Sequence, residues 1–513
     1  LIDAIAEELP EKAFLEKISS QEFDYLVAET SIPSYYYDLS LLKKISKHGI
    51  PIILCGPNSE IYNTDFLKEH AFIDFVLYGE YEFTLLELIL AIQEGEDLFN
   101  IPGLIYSGHD QIRKNLSRPL CDINLLPWPY RDGLPMHKYL DAPGEMNTPS
   151  VQMVASRGCP FTCQFCLWPQ VMYHGHNYRV RTVKDGIDEM EYLVTKKGFK
   201  SVYFDDDTFN VGKRRMLSFC QEIIQRGLHK TQWAIMARPD LMDEEILDTM
   251  RKAGLWAVKY GMESVNQRMV NNIGKCMNLK KAGKMIRYTQ RLGIKTHLTF
   301  TFGLPGETKQ TIEETMQYVK KINPFSAQFS ITTPFPGTRY YESLDQKGLI
   351  VSKDFSCYDG NYKSVIRLEH LTPEDLEFAK QRAYSTWKAH LRKRDAGLPK
   401  VKKFFKYAKT RGLMYAIGKV VHYGKDILHE RKNELRGIRH GGTIERTGFL
   451  PQSKNQKKVS ADILLIQCPP WDIEMPPLGI AYLSSFLRKY NYTVSVLDLN
   501  VMVYGRINQN AKY

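Results

Sequence analysis

The sequence predicts an α/β protein. A Rossmann-like, doubly wound sheet comes first, then a partial (β/α)6 barrel of the TIM type, a basic helical region and a C-terminal β-α-β unit. Three observations predict it. Over the first hundred residues, short and wholly apolar strands alternate with helical stretches, as in a buried parallel sheet. From Val151 to Thr338 a β-then-α alternation repeats six times. Residues 462–505 then return to strand–helix–strand.

In the first region (1–110), Tyr25–Ala28, Ile50–Cys55 and Phe75–Tyr78 read as strands, and Leu39–Ser46 and Phe83–Gln93 as helices. The turns Thr30-Ser31, Cys55-Gly56-Pro57 and Gly79-Glu80-Tyr81-Glu82 follow the strands, where ligands of such sheets bind. Residues 111–150 form a linker, stiffened by Leu126-Pro-Trp-Pro-Tyr130. The barrel (151–340) has strands at Val151–Ala155, Ser201–Phe204, Gln232–Met236, Ala257–Tyr260, His297–Phe302 and Ala327–Thr332. Its helices carry core stripes: Val183, Ile187, Met190 and Val194 behind the cap Thr182; Ile246, Leu247 and Met250 behind Asp243; Ile312, Met316 and Val319. Reactive groups belong at the C-terminal ends of the strands. Residues 341–460 read as helical and basic. In the last unit (461–513), Asp462–Cys468 and Thr493–Leu499 are strands around a helix, Pro476–Tyr490.

The 513 residues suffice for two or three domains, and a hydrophobic content of 43% excludes global disorder. Of nine cysteines, three share one loop; the other six are scattered without a pairing pattern, which points to a reducing, cytoplasmic setting. No apolar run is long enough to cross a bilayer, and no signal peptide is visible in a chain that opens on Leu1. The net charge of +11 is concentrated. Between Lys400 and Lys458, sixteen Lys or Arg face four Asp or Glu. This stretch is either a solvated surface or a contact with a membrane surface or anionic partner, and Phe404, Phe405, Tyr407 and Leu413 suit an interfacial helix. No nucleic-acid motif accompanies the charge.

Cys159, Cys163 and Cys166 stand in a C-x3-C-x2-C loop directly after the first barrel strand. Three thiolates can hold three irons of a 4Fe–4S cubane and leave the fourth open. A structural zinc would want a fourth Cys or His nearby, and none has zinc-finger spacing. With Phe165 before the last cysteine, the motif resembles that of radical S-adenosylmethionine (SAM) enzymes. The resemblance implies that the open iron binds the amino and carboxylate groups of SAM, which is cleaved to a 5′-deoxyadenosyl radical. It also implies roles for the other strand ends. Asp205, Asp206 and Asp207 would lie near the methionine amine, with Asp206 favoured. Arg238 would pair with the methionine carboxylate. Glu263 and Ser264, in Gly261-Met-Glu-Ser264, would contact ribose. Gly303 and Pro305, in Phe302-Gly-Leu-Pro-Gly-Glu-Thr308, would form the adenine-side turn, and Pro334-Phe-Pro-Gly-Thr338 follows the sixth strand. Taken singly, three aspartates are also a helix cap and a Gly-Pro turn is also only a turn.

The first region resembles the cobalamin-binding domain that precedes the barrel in one subgroup of this family, through Glu29-Thr30-Ser31, Gly56-Pro57 and Gly79-Glu80-Tyr-Glu82. The D-x-H-x-x-G motif is absent, as in that subgroup, which binds cobalamin without a histidine ligand. The alternative is a Rossmann-like domain that binds nothing. The subgroup usually opens with a strand, a Pro-Pro-Leu-Gly helix and a second strand. Here a matching unit stands at the other end, in Ile463–Trp471, Pro476-Pro-Leu-Gly479 and Val494–Leu499. Either it completes the first sheet, as in a circular permutation, or it begins a second such domain.

The loop after the cluster, through Trp168, Gln170, Tyr173, His174, His176, Tyr178 and Arg179, is expected to face the substrate, with its histidines as loop residues rather than metal ligands. Its Cys-Leu-Trp-Pro-Gln run resembles family members acting on hopanoid-type lipids. The resemblance thus implies a cobalamin-dependent radical SAM enzyme that methylates an unactivated carbon of a small-molecule or lipid substrate, with an electron donor such as flavodoxin or ferredoxin. The alternatives are cyclisation or rearrangement with the same cofactors, and a non-catalytic iron–sulfur or zinc protein.

Overall fold

The structure, a computed structural model, describes residues 2–3, 11–20, 22–58, 60–108, 111–132, 134, 136, 139, 141–395, 462–467 and 478–498. The chain divides into two compact units, residues 1–388 with 460–513, and residues 389–459. The second is described only to residue 395, so the basic stretch 400–458 lies outside the described residues, as do Cys468–Trp471 and Pro476-Pro477.

The described strands are β1 (Ile2–Asp3), β2 (Tyr25–Glu29), β3 (Ile52–Cys55), β4 (Phe75–Leu77), β5 (Leu104–Ser107), β6 (Ile112–Lys114), β7 (Ser150–Met153), β8 (Ser156–Arg157), β9 (Arg179–Val180), β10 (Ser201–Phe204), β11 (Gln232–Ala237), β12 (Leu255–Glu263), β13 (Lys295–Phe302), β14 (Ser326–Ile331), β15 (Ile463–Gln467) and β16 (Val494–Asp498).

The first sheet runs β1-β16-β15-β2-β3-β4-β5-β6. β15 pairs parallel with β2 along its whole length, from Ile463 opposite Tyr25 to Gln467 opposite Glu29. The C-terminal unit therefore lies in the first sheet and supplies strands beside its middle. Both faces of this sheet are covered. Leu26, Ala28 and Leu464 pack on one side with Phe14, Leu39 and Leu42. Val27, Ile463 and Leu465 pack on the other with Leu85, Ile89, Ile480 and Leu483. The period of two along each strand produces this division. β5 and β6 add an antiparallel hairpin that the sequence does not announce. Ile112–Lys114 is a short, largely exposed edge with two cations, so it lacks the apolar signature of a buried strand.

The second sheet, β14-β13-β12-β11-β10-β7, is wholly parallel. Helices Val183–Thr195, Lys213–Gln225, Glu244–Lys252, Leu279–Arg291 and Lys309–Ile322 join its successive strands. Thr182 caps the first by accepting from the Asp185 amide, and Asp243 caps the third by accepting from Ile246, as their sequence positions predict. In the first helix, Leu193 is the buried residue of the last turn and Val194 is only half-buried. Residues 341–395 are less helical than expected. Helices Arg339–Gln346 and Pro373–Asp395 flank an irregular stretch.

Residues 141–147 lie at the N-terminal end of the second sheet. Gly144, at φ +65°, sits where a Cβ would come 2.7 Å from Ala257 Cβ and 2.8 Å from Lys295 Cβ. The Trp256 indole donates to its carbonyl at 2.8 Å. The groups free for chemistry therefore gather at the opposite, C-terminal strand ends.

Candidate active site

The cysteine loop hangs from a hairpin. β8 and β9 pair antiparallel with Arg157 directly opposite Arg179. Residues 158–178 between them contain one π-helical turn, Trp168–Met172. Cys159, Cys163 and Cys166 are half-buried free thiols on this loop. Gln170, on the π turn, donates to the carbonyls of Cys163 (3.2 Å), Gln164 (3.0 Å) and Cys166 (2.7 Å). Asp207 accepts from the Gly158 amide at 2.9 Å. The Gln164 amide donates to Ile273 at 2.8 Å, and its carbonyl accepts from Tyr340 at 3.1 Å. Protein contacts thus set the loop's shape.

Burial pushes the Cys166 thiol well up, and Asp207 and the neighbouring thiols add to it. Burial also raises Cys163, against the pull of Lys275. Such thiols stay neutral unless bound metal stabilises the thiolates. Among the described residues, no three His, Cys, Asp or Glu converge on a single-ion site. A cubane takes its thiolates one per iron and does not require that convergence, so three cysteines on one loop braced from outside fit such a cluster.

The strand ends of the second sheet surround this loop. Asp206, at 2% exposure, accepts from the Ala155 amide at 3.2 Å and from the Ser156 hydroxyl, which pins the chain between β7 and the loop. Burial raises its pKa to about 6, moderated by Arg215. Burial raises Asp205 to about 6 as well, where it faces Lys259 and Tyr203. Asp207 is the exposed member of the three. Arg238 forks onto Asp240 at 3.1 and 3.0 Å, donates to the Lys275 carbonyl at 3.0 Å and stacks 3.7 Å from the Phe161 ring centre. It braces the cysteine loop from one side.

Glu263 sits at a register shift in β12 with φ +61°, a left-handed conformation that a non-glycine residue rarely adopts. Its carboxylate accepts from Lys275 at 2.8 Å. Burial alone would depress the Lys275 ammonium, but Glu263 and Cys163 outweigh it and hold its pKa up. A fixed positive charge therefore stands beside Cys163. Ser264 is buried, and its hydroxyl accepts from the Asn266 amide at 3.2 Å. Gly303, at φ +100°, gives its amide to the Glu307 carboxyl and accepts from the Tyr340 hydroxyl at 2.5 Å. Pro305 accepts from Asn272 at 2.8 Å. Burial pushes Glu307 up to about 7 against the two amides that hydrogen-bond it.

The strand ends of the first sheet border the same loop. Thr30 bonds the Tyr62 hydroxyl at 2.7 Å and accepts from Asn58 at 3.1 Å; the Asn58 carbonyl oxygen is buried with no partner among the described residues. Ser31 bonds Ser34 at 2.7 Å. Gly56, followed by Pro57, has φ +109°, and a Cβ there would lie 2.9 Å from the Thr30 carbonyl. Gly79, at φ +73°, has His174 against it, 3.0 Å from where a Cβ would be. Gly337, after β14, lies against Val171 of the cysteine loop and Glu60 of the turn that follows β3. Glu80 takes Arg179 at 2.7 and 2.9 Å, Arg157 at 3.1 Å and the Cys121 amide at 3.1 Å. His176 has both ring nitrogens engaged, with the Phe161 carbonyl and Arg339 each at 2.8 Å. It is a loop residue.

Sequence reasoning missed Lys275 and Arg157, and it assigned Gln170 and Arg179 to the substrate, whereas Gln170 binds the loop's own carbonyls and Arg179 binds Glu80. None of these roles follows a local pattern: Gln170 depends on the turn of its own loop, and the two arginines on Glu80, which the fold brings in.

The signature of the Radical SAM superfamily matches residues 153–319. An "uncharacterized methyltransferase" of Pyrococcus horikoshii is 31% identical over 388 residues, 75% of this chain and 83% of its own. The chain belongs to the radical SAM superfamily. This radical SAM enzyme is also 29% identical over 379 residues to the anaerobic magnesium-protoporphyrin IX monomethyl ester cyclase of Rubrivivax gelatinosus, covering 70% of this chain and 64% of that one. It therefore spans less than two thirds of that relative. The solved structure of OxsB, a cobalamin-dependent SAM radical enzyme with aqua-cobalamin and SAM bound, aligns with a TM-score of 0.59 at 13% identity, over 84% of this chain and 67% of its own. At that identity the likeness is one of fold. Among the described residues, no helix is long and apolar enough to cross a membrane.

Proposed function

We propose that this radical SAM enzyme is a cobalamin-dependent methyltransferase that acts on an unactivated carbon of a small-molecule or lipid substrate, within a partial (β/α)6 barrel. The observation that carries the reading is the meeting of two sets of strand ends on one cysteine loop, so that two cofactors can face one substrate. Cys159, Cys163 and Cys166 hold a 4Fe–4S cluster. When bound, the cluster supplies the electron that cleaves SAM, and cobalamin carries the methyl group. Gln170 and Asp207 keep the loop in shape, and Lys275 holds a positive charge beside Cys163. Asp207, the exposed carboxylate, takes the methionine amine. Arg238 holds the carboxylate side, Glu263 and Ser264 the ribose, and the Gly303–Pro305 turn the adenine. Thr30, Ser31, Gly56, Pro57 and Gly79 form a neutral rim for cobalamin, whose amide side chains suit hydrogen-bonding acceptors such as the orphaned Asn58 oxygen. A flavodoxin or ferredoxin donates the electron, and residues 400–458 contact a membrane surface.

The test is anaerobic reconstitution with a strong reductant and methyl-labelled SAM. The expected result is 5′-deoxyadenosine together with a product carrying the label. A second reading, cyclisation or rearrangement of the substrate radical with the same cofactors, is supported by the likeness to the cyclase. It predicts 5′-deoxyadenosine with no label in the product. An intact cluster that forms no 5′-deoxyadenosine would sink both readings.

A further inference from the structure

We infer that Glu80, Glu82, Arg157 and Arg179 are positioning residues, a four-charge lock that holds the cysteine loop to the first sheet so that cobalamin bound at that sheet is felt at the cluster. The inference rests on the proposed cobalamin site. The two arginines are cross-strand partners at the base of the hairpin that carries all three cysteines, and Arg157 stands two residues before Cys159. Like charges directly opposite one another on a ladder repel. Here two carboxylates from the turn after β4 and the helix it opens neutralise them. Glu80 forks onto Arg179 at 2.7 and 2.9 Å and reaches Arg157 at 3.1 Å. Glu82 takes the other end of Arg157 at 2.6 Å.

All four side chains are largely shielded from water, at 4% and 7% exposure for the glutamates and 16% and 17% for the arginines. Tyr173 and Tyr482 lay their rings against Arg179 and Arg157, at 5.4 and 5.6 Å. Arg179 also donates to the Cys121 carbonyl at 2.9 Å. Glu80 thus has both oxygens committed to the lock and is not a group open to a cofactor. Its neighbour Gly79 is pressed by His174, from the far side of the same loop. A ligand that shifts the turn after β4 must therefore shift the base of the cysteine loop or break a shielded charge network.

The test is amide hydrogen exchange across residues 158–178 of the reconstituted full chain, with and without hydroxocobalamin, alongside the electron paramagnetic resonance spectrum of the reduced cluster. In the wild type, hydroxocobalamin is expected to slow exchange by about tenfold and to alter the spectrum. In the Glu80→Gln, Glu82→Gln double variant, cobalamin still binds by its visible spectrum, but both responses vanish. Arg179→Lys keeps the charge, loses the fork and should respond in between; it decides the matter where the double variant does not fold. Equal acceleration with and without cobalamin would mean mere structural support and would overturn the inference. A wild type that binds no cobalamin would instead refute the proposed cofactor. In that case, exchange of 158–178 no faster in Arg179→Lys than in wild type would also dismiss the lock.

Discussion

The two sets of strand ends that border the cysteine loop are built from different materials. Those of the second sheet present charge: Asp206 and Asp207 after β10, Arg238 after β11, and Glu263 with Lys275 at β12. The turns that follow β2 and β3 present uncharged groups and glycine, with Thr30 and Ser31 closed into hydroxyl networks and Gly56 letting the chain turn close over Thr30, while Glu29, which ends β2, is buried. A charged rim suits a zwitterionic sulfonium, and a neutral rim of hydrogen-bonding groups suits a large amide-bearing macrocycle. Similar α/β topology can thus serve two ligands when the chemistry is assigned to the turns.

Removing the cluster from the charged side should separate the two sites most sharply. Cys163→Ala should abolish iron incorporation and SAM cleavage while cobalamin binding persists, read by iron and sulfide analysis beside the cobalamin spectrum. Next is Glu307. Its pKa rises from the ordinary 4.5 to about 7 in the fold, so the folded chain binds more protons than the unfolded chain between those values. Stability should therefore fall as pH rises through this window, by up to about 3 kcal/mol, and level off above it. Glu307→Gln should flatten that slope in melting curves taken from pH 4.5 to 8 (about one step beyond the window). On the neutral side, Gly56→Ala places a methyl group 2.9 Å from a backbone oxygen at φ +109°. It should cost about 2 kcal/mol and weaken cobalamin binding, without altering the cluster's visible band. The smallest expected effect is that of Thr30→Val, which removes two buried hydrogen bonds for about 1–2 kcal/mol by denaturant titration. If Thr30→Val instead impaired SAM cleavage as much as Cys163→Ala, the division of labour between the two sets of strand ends would be wrong.

Local patterns made much of this legible. Ser201–Phe204 is a strand at the bounds its apolar run implies, and Thr182 and Asp243 cap the helices they precede. The cysteine spacing is likewise local, so the loop could be read directly. Asp206 illustrates the limit. The sequence places three aspartates at one strand end, but only the packing of Ala155 and Ser156 against it makes Asp206 internal and leaves Asp207 open. Gln170 read as a substrate-side residue, because the carbonyls it binds take their direction from a π turn that no local pattern announces. Glu80 read as a ligand-side turn residue because its partners, Arg157 and Arg179, are distant in the chain. A charge-balanced pair of arginines and glutamates was there to notice, but periodicity does not say which charges meet. β5 and β6 were hidden for the opposite reason, a weak signal on an exposed edge.

The pairing of β15 with β2 joins residues 463–467 to residues 25–29, far apart in the sequence. During synthesis, β2 leaves the ribosome long before β15 exists, so this pairing waits until all six strands of the second sheet have been made. A pairing so distant in sequence must close a long loop before it forms, which makes it slow. The two parts of the first sheet therefore join only after the cysteine loop's own scaffold has been made.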